Sequence, residues 1–129
     1  MNAALRTGIY TLGKTVTGLS ATNLFYRDAK HTQESSFCVF WGVTNTQFID
    51  SGTQFEIDNV QFDFFGTNLS SLETIVLAFK TMFDYTSSLT VTGYTVMSVT
   101  RSLERPAQKF DKVWQISLEY EIITSKSRS

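Results

Sequence analysis

Among its 129 residues the sequence has one proline, one cysteine and one histidine, and each scarcity removes a class of structure or chemistry. A lone Cys38 makes no internal disulfide, which excludes small secreted scaffolds stapled by cystine and makes a reducing compartment the natural setting. One proline and seven glycines exclude collagen-like and proline-rich architectures. Charged residues are only 18% and the formal net charge is −1, so the long-range attraction of a basic nucleic-acid binder is missing. No run approaches the length of an apolar membrane span, and the start Met1-Asn2-Ala3-Ala4-Leu5-Arg6 lacks the apolar stretch of a secretory signal. These absences predict a chain that is soluble and intracellular when made, with no membrane partner.

What is present is a folding composition. Hydrophobic residues are 42%, with 11 Phe, 5 Tyr and 2 Trp. Eighteen Thr and 14 Ser make up about a quarter of the chain, and Thr, Phe, Tyr and Val suit a half-buried pleated surface. The length fits a single domain spanning residues 1–129. Charge is unevenly spread: residues 1–33 sum to +3, residues 34–100 to −6 and residues 101–129 to +2. A middle of one sign between ends of the other permits head-to-tail pairing between copies; ordinary surface scatter produces the same pattern.

The pattern of elements predicts an α+β fold, a mostly antiparallel sheet with one main helix packed on a face and a short N-terminal helix. Leu5, Ile9 and Leu12 stand at helical spacing, with Gly13 near the end of that first helix. Residues 15–36 read as a long loop with one short strand at Leu24-Phe25-Tyr26. Phe37 to Val43 reads as a strand covered on both faces, followed by a loop from Thr44 to Thr53. From Gln54 to Phe65, Phe55 and Ile57 fall on one face and Val60, Phe62 and Phe64 on the other, which predicts a bulge or bend near Asp58-Asn59. Ser70-Ser71-Leu72-Glu73 is a capping-box pattern opening a helix to about Tyr85, whose apolar stripe is Leu72, Ile75, Val76, Phe79, Met82 and Phe83. Two strands follow, Tyr94 to Arg101 and Lys112 to Thr124, the second alternating cleanly from Trp114 to Ile122. Between them, residues 101–112 are expected to project as a charged tongue, and residues 125–129 to form a polar tail.

Catalytic constellations are thin. His31 has only Asp28 and Glu34 nearby in sequence, which is no zinc set. Cys38 sits among aromatics that raise a thiol pKa instead of activating it. The carboxylate pairs Glu56/Asp58 and Glu119/Glu121 each point one way from a strand, and the ordinary reading is a solvated outer face, not a hydrolase cleft. Gly8-Ile-Tyr-Thr-Leu-Gly13-Lys14-Thr15 matches the letters of a phosphate-binding loop but lacks the preceding strand, so it is read as coincidence. Asn68-Leu69-Ser70 fits the glycosylation pattern and reads better as a helix start. Phe25-Tyr26-Arg27 and Lys109-Phe110-Asp111-Lys112 mix aromatics with cations and are a minor option for base stacking. No catalytic residue, metal or cofactor is expected.

The order of these elements resembles the tail terminator, or tail completion, proteins of long-tailed bacteriophages, over about Leu5 to Ile123. The most telling part is Phe55-Glu-Ile-Asp-Asn-Val-Gln-Phe-Asp-Phe-Phe65 running through Gly-Thr-Asn-Leu-Ser-Ser-Leu-Glu73 into the helix. The resemblance implies a non-enzymatic virion protein, made in the host cytoplasm and placed at the head-tail junction. It implies a hexameric ring that caps the tail tube, stops its polymerisation and meets a head completion or connector protein, with DNA only passing through the lumen. A closed ring needs two different complementary patches on each copy. By the same analogy subunit contacts are expected on the projecting segment, at Arg101, Arg105, Lys109, Phe110 and Lys112, with Arg105 and Phe110 as anchors. Another neck or tail-tube subunit has the same composition, and a small-molecule-binding or enzymatic α+β domain is the reading from a different class.

Overall fold

The computed structural model describes residues 1–28, 36–84 and 88–127. His31, the predicted helix end at Tyr85 and the last two residues of the predicted tail lie outside these. The elements are α1 (Ala3–Gly13), β1 (Leu24–Tyr26), β2 (Phe37–Asp50), β3 (Thr53–Gly66), α2 (Leu69–Phe83), β4 (Thr95–Phe110) and β5 (Val113–Ser127). They form the predicted α+β arrangement: one five-stranded mixed sheet in the order β1-β2-β3-β5-β4, with β1 parallel to β2 and every other pair antiparallel. The four long strands hold 14 to 16 residues each, about 45–50 Å of extended chain.

Both helices sit on one face. On β3 the inward residues are Glu56, Asp58, Val60, Phe62 and Phe64, and on β5 Ile116, Leu118, Tyr120, Ile122 and Thr124. Phe79 of α2 lies 4.7 Å from Phe62 and 5.0 Å from Phe64 between ring centres, and stacks on Phe83 at 4.1 Å. Tyr120 meets Phe62 edge-on at 5.7 Å. Each such pair adds about 0.5–1.5 kcal/mol beyond simple burial, so this aromatic knot is what fixes α2 to the sheet. Leu5 and Ile9 bring α1 into the same apolar cluster.

Helix α2 starts two residues earlier than the capping box implies. The Asn68 side chain is the cap, accepting from the Ser71 amide at 3.0 Å. Asparagine is among the best cap residues and Ser70 is thereby drawn into the first turn. Asn2 caps α1 in the same way, accepting from the Leu5 amide at 2.7 Å. Because α1 runs through Gly13, the Gly8 to Thr15 segment is helical along most of its length and is no phosphate loop.

Four other expectations are corrected. Thr44 to Asp50 is not a loop but the second half of β2, joined to β3 by a two-residue turn in which Ser51 and Gly52 both have positive φ, 51° and 82°, the geometry that matches strand twist. The irregularity expected in β3 lies in its partner: β3 alternates without a break, and the bulge is in β2 between Gly42 and Thr44, facing Val60 and Asn59. The predicted tongue is strand β4 continuing along the sheet edge to Phe110, and only Asp111 and Lys112 form the turn. The polar tail is ladder as far as Ser127, which pairs with Thr53. Pro106 is tolerated because β4 is an edge strand and Pro106 falls in a register shift between Arg105 and Gln108.

Candidate functional site

The sheet ends in two open edges. On one side β1 covers β2 only from Cys38 to Phe40, leaving Trp41 to Asp50 without a neighbour among the described residues. On the other side the whole of β4 has β5 alone among the described residues. Since β2, β3, β5 and β4 alternate in direction, the two open edges run oppositely. Copies oriented alike therefore present edges that pair antiparallel. Unpaired edges are a template for another chain. Three register shifts along β4 and its single proline narrow which partner can pair there.

Both edges are exposed and carry large apolar groups. Residues 43 to 50 of β2 are all exposed, with Phe48 at 46% and Ile49 at 59%. Phe48 stacks on Phe55 at 4.9 Å. On β4, Met97 (52%), Leu103 (42%) and Phe110 (56%) are exposed. The segment Val43 to Ile49 was missed as a functional candidate, although Phe48-Ile49 amid Thr, Asn and Gln is its visible signal.

The five residues singled out from sequence separate into two groups. Arg105, Lys109, Phe110 and Lys112 gather on the last six residues of β4 and its turn, where all are exposed. Phe110 is open to solvent and not tucked beneath its own loop. Lys109 lies over the Trp114 ring at 5.5 Å. Arg101 is held on the helix side of the sheet, 3.5 Å from Asp84 and 3.8 Å from Glu104, and Lys80 of α2 bonds Glu104 at 3.2 Å. These pairs tie β4 to the end of α2. As exposed ion pairs they contribute about 0–1 kcal/mol each.

Among the described residues no helix or strand covers the face away from the helices, which is mixed in character. Asp63 accepts from Trp41 Nε1 at 3.2 Å, Gln61 Nε2 at 2.8 Å and Ser117 Oγ at 2.7 Å. Glu119 and Glu121 project from β5 on that face, half-buried, as the outer-face reading of this pair has it. The other carboxylate pair contradicts its outer-face reading. Glu56 is 3% and Asp58 0% exposed, because α1 arrives over them. Asn45 Nδ2 donates to Asp58 at 2.8 Å, the α-amino group of Met1 lies 3.5 Å from the same oxygen, and Gln47 and Asn2 donate to Glu56 at 3.2 and 3.3 Å. This buried acid network closes the seam between the helix start and the β2–β3 hairpin.

Among the described residues, reactive groups do not converge. Burial, and next the charge of Asp63, push the Cys38 thiol well above its ordinary 9.0. Burial and then a 2.7 Å bond to Asp84 raise Tyr120 as well. The larger grooves, about 530 and 540 Å³, run along α1 and α2 and are lined by Ala, Thr, Gly, Ser, Leu, Val and Met without a charged residue. Among the described residues no cluster of three His, Cys, Asp or Glu side chains forms, and no helix is long and apolar enough to cross a membrane.

No family model matches the sequence, and no curated protein does. Solved structures do match. The chain shares its fold with a component of the virion of a native gene transfer agent particle, with a TM-score of 0.72 over 94% of each chain at 7% identity. A second solved chain, which bears no functional name, aligns over 93% of this chain and 91% of its own, with a TM-score of 0.54 and 14% identity. At such identities the likeness is one of fold, and it extends across nearly the whole length of all three chains.

Proposed function

We propose that this chain is a non-catalytic structural subunit of a tailed-phage-like particle, located in the virion. Its role is that of a tail terminator: a ring of copies, a hexamer by the family resemblance, that caps the tail tube, ends its polymerisation and offers the surface for a head completion or connector protein. One observation carries the reading. A sheet of four long alternating strands ends in two open edges of opposite direction, on a fold shared end to end with a virion component. Such edges are unlike each other and complementary, which is what a head-to-tail ring demands. The uncharged grooves and the inert Cys38 fit a role without chemistry.

The test is native mass over a wide concentration range, with negative-stain images of the same samples, alone and with purified tail tubes. Closed rings, free or on tube ends, are the expected result. Arg105→Glu, on the exposed β4 edge, is expected to weaken assembly and leave the thermal midpoint within about 2 °C, as surface substitutions do. Strict monomers with and without tubes would overturn the reading.

A further inference from the structure

The two open edges are not uniform along their length. On β2 the stretch from Gly42 to Ile49 holds no charged residue and no proline, and its Val43, Phe48 and Ile49 are exposed. Strand β4 divides in two. Thr95 to Thr100 is equally free of charge and proline, with Met97 exposed at its bulge, whereas the rest of the strand carries Arg101, Glu104, Arg105 and Lys109 together with Pro106. Charges and proline are the devices by which natural edges refuse a further strand. By that measure the second half of β4 is guarded, and its first half, like the open stretch of β2, is not.

The ladder sets the two unguarded stretches at one height. Thr44 pairs with Asn59, Asn59 with Glu121 and Glu121 with Thr100; Thr46 leads through Ile57 and Ile123 to Ser98, and Phe48 through Phe55 and Ser125 to Thr95. These residues stand on one face of the sheet, the one away from the helices, because Glu56 and Asp58 in β3 and Ile122 and Thr124 in β5, which alternate with them, point inward. The guarded half of β4 lies level with β1 instead: Glu104 leads through Leu118 and Phe62 to Phe40, which Tyr26 of β1 covers. The β2 edge is thus closed where β4 is guarded and open where β4 is open. A closed ring has no net rise from copy to copy, so edges at matching height can meet, and copies oriented alike keep the same face on the same side of the joint.

We infer that Val43 to Ile49 of one copy pairs antiparallel with Thr95 to Thr100 of the next, extending the sheet from copy to copy. Beyond Thr100 the register shifts at Arg101/Leu103 and Arg105/Gln108 bend β4 clear of the neighbour's β1. The inference rests on the ring reading above and names the strand segments that make the joint. A strand supplied by a tube protein is the other occupant, and the test distinguishes it.

Thr46→Cys and Ser98→Cys are combined in one chain, with Thr46→Cys plus Gln108→Cys as the comparison, and circular dichroism confirms that each variant folds. Within a copy Thr46 and Ser98 are three strand spacings apart, about 14 Å, beyond the ~7 Å between Cα atoms that a disulfide spans, so oxidation links only different copies. The expected result on non-reducing gels is a ladder of linked copies from dimer to full ring for the first pair, and nothing beyond dimer for the comparison. Thr46→Glu sets a carboxylate in the joint with no cation beside it by register, and is expected to raise the concentration for half-assembly about tenfold or more. If the parent chain forms rings while the first pair stops at dimer, or the comparison pair gives the ladder instead, or Thr46→Glu assembles as the parent does, this pairing is refuted while the ring stands. If Thr46→Glu forms rings normally but no longer binds tube ends, the open stretch takes a strand of the tube protein and the inference falls. A parent chain that never forms rings, alone or with tubes, removes both readings.

Discussion

Gly8 offers the sharpest test of how α1 is seated. It lies in the middle of that helix, where alanine is ordinarily better than glycine by about 0.8–1.0 kcal/mol. Here a Cβ would press into the carbonyl oxygen of Thr90 and come within 3.3 Å of its carbonyl carbon. The obstacle is backbone, and neither partner is free to retreat: Leu5 and Ile9 pin α1 to the core, and Leu89 and Val91 pin the connector. Overpacking of this kind costs about 1–3 kcal/mol, and a rigid backbone obstacle puts it near the upper end. Gly8→Ala is therefore expected to lose about 2 kcal/mol net after the propensity gain. At about 3–5 °C per kcal/mol for a chain of this size, the midpoint falls by roughly 6–10 °C. Thr11→Ala, on the exposed side of the same helix, is the control and is expected to gain a few tenths of a kcal/mol. Urea and thermal denaturation of both variants decide the matter. A Gly8→Ala protein as stable as the parent, or more so, would show that α1 does not press on Thr90 and would refute the packing argument.

The cap of α2 is tested by comparison: Asn68→Ala is expected to cost about 1 kcal/mol, and Ser70→Ala no more than about 0.5 kcal/mol, in urea unfolding; the reverse order would restore the capping box. Phe79→Ala removes the ring that touches Phe62, Phe64, Phe83 and Tyr120, and is expected to lower stability by about 3–5 kcal/mol; a loss under 1 kcal/mol would place α2 elsewhere. Tyr120 and Cys38 have folded pKa values raised above their ordinary 10.0 and 9.0. The unfolded chain therefore releases these protons first as pH rises, and stability present below about pH 9 declines above it. Tyr120→Phe is expected to flatten that alkaline decline in midpoint-against-pH curves; an unchanged decline would mean that Tyr120 is not the group responsible.

Much of the fold was legible because periodicity and capping are local signals. The apolar stripe from Leu72 to Phe83 and the alternation from Trp114 to Ile122 each name their own buried face, and α2 and β5 lie where those signals put them. The short Leu24-Phe25-Tyr26 strand was legible too, since three apolar residues in a polar stretch need a partner. The carboxylate pairs were not. Glu56/Asp58 and Glu119/Glu121 have the same spacing, and only the arrival of α1 over the first pair makes one buried and the other half-open.

The interface candidates divide along the same line. Arg105, Lys109, Phe110 and Lys112 were visible as a charged, aromatic segment, but their setting was misread as a free tongue. Residues 44–50 of β2 are exposed, and so are residues 101–110 of β4 apart from the half-buried Ala107, so neither stretch has an apolar face to betray a strand. What makes them strands is the row of backbone hydrogen bonds offered by β3 and β5. By itself the sequence determined the helices, the core strands and the composition of an α+β fold, because burial writes a period into side chains. The tertiary structure alone decided the two long open edges and the burial of Glu56 and Asp58, because a backbone ladder is indifferent to the side chains it carries.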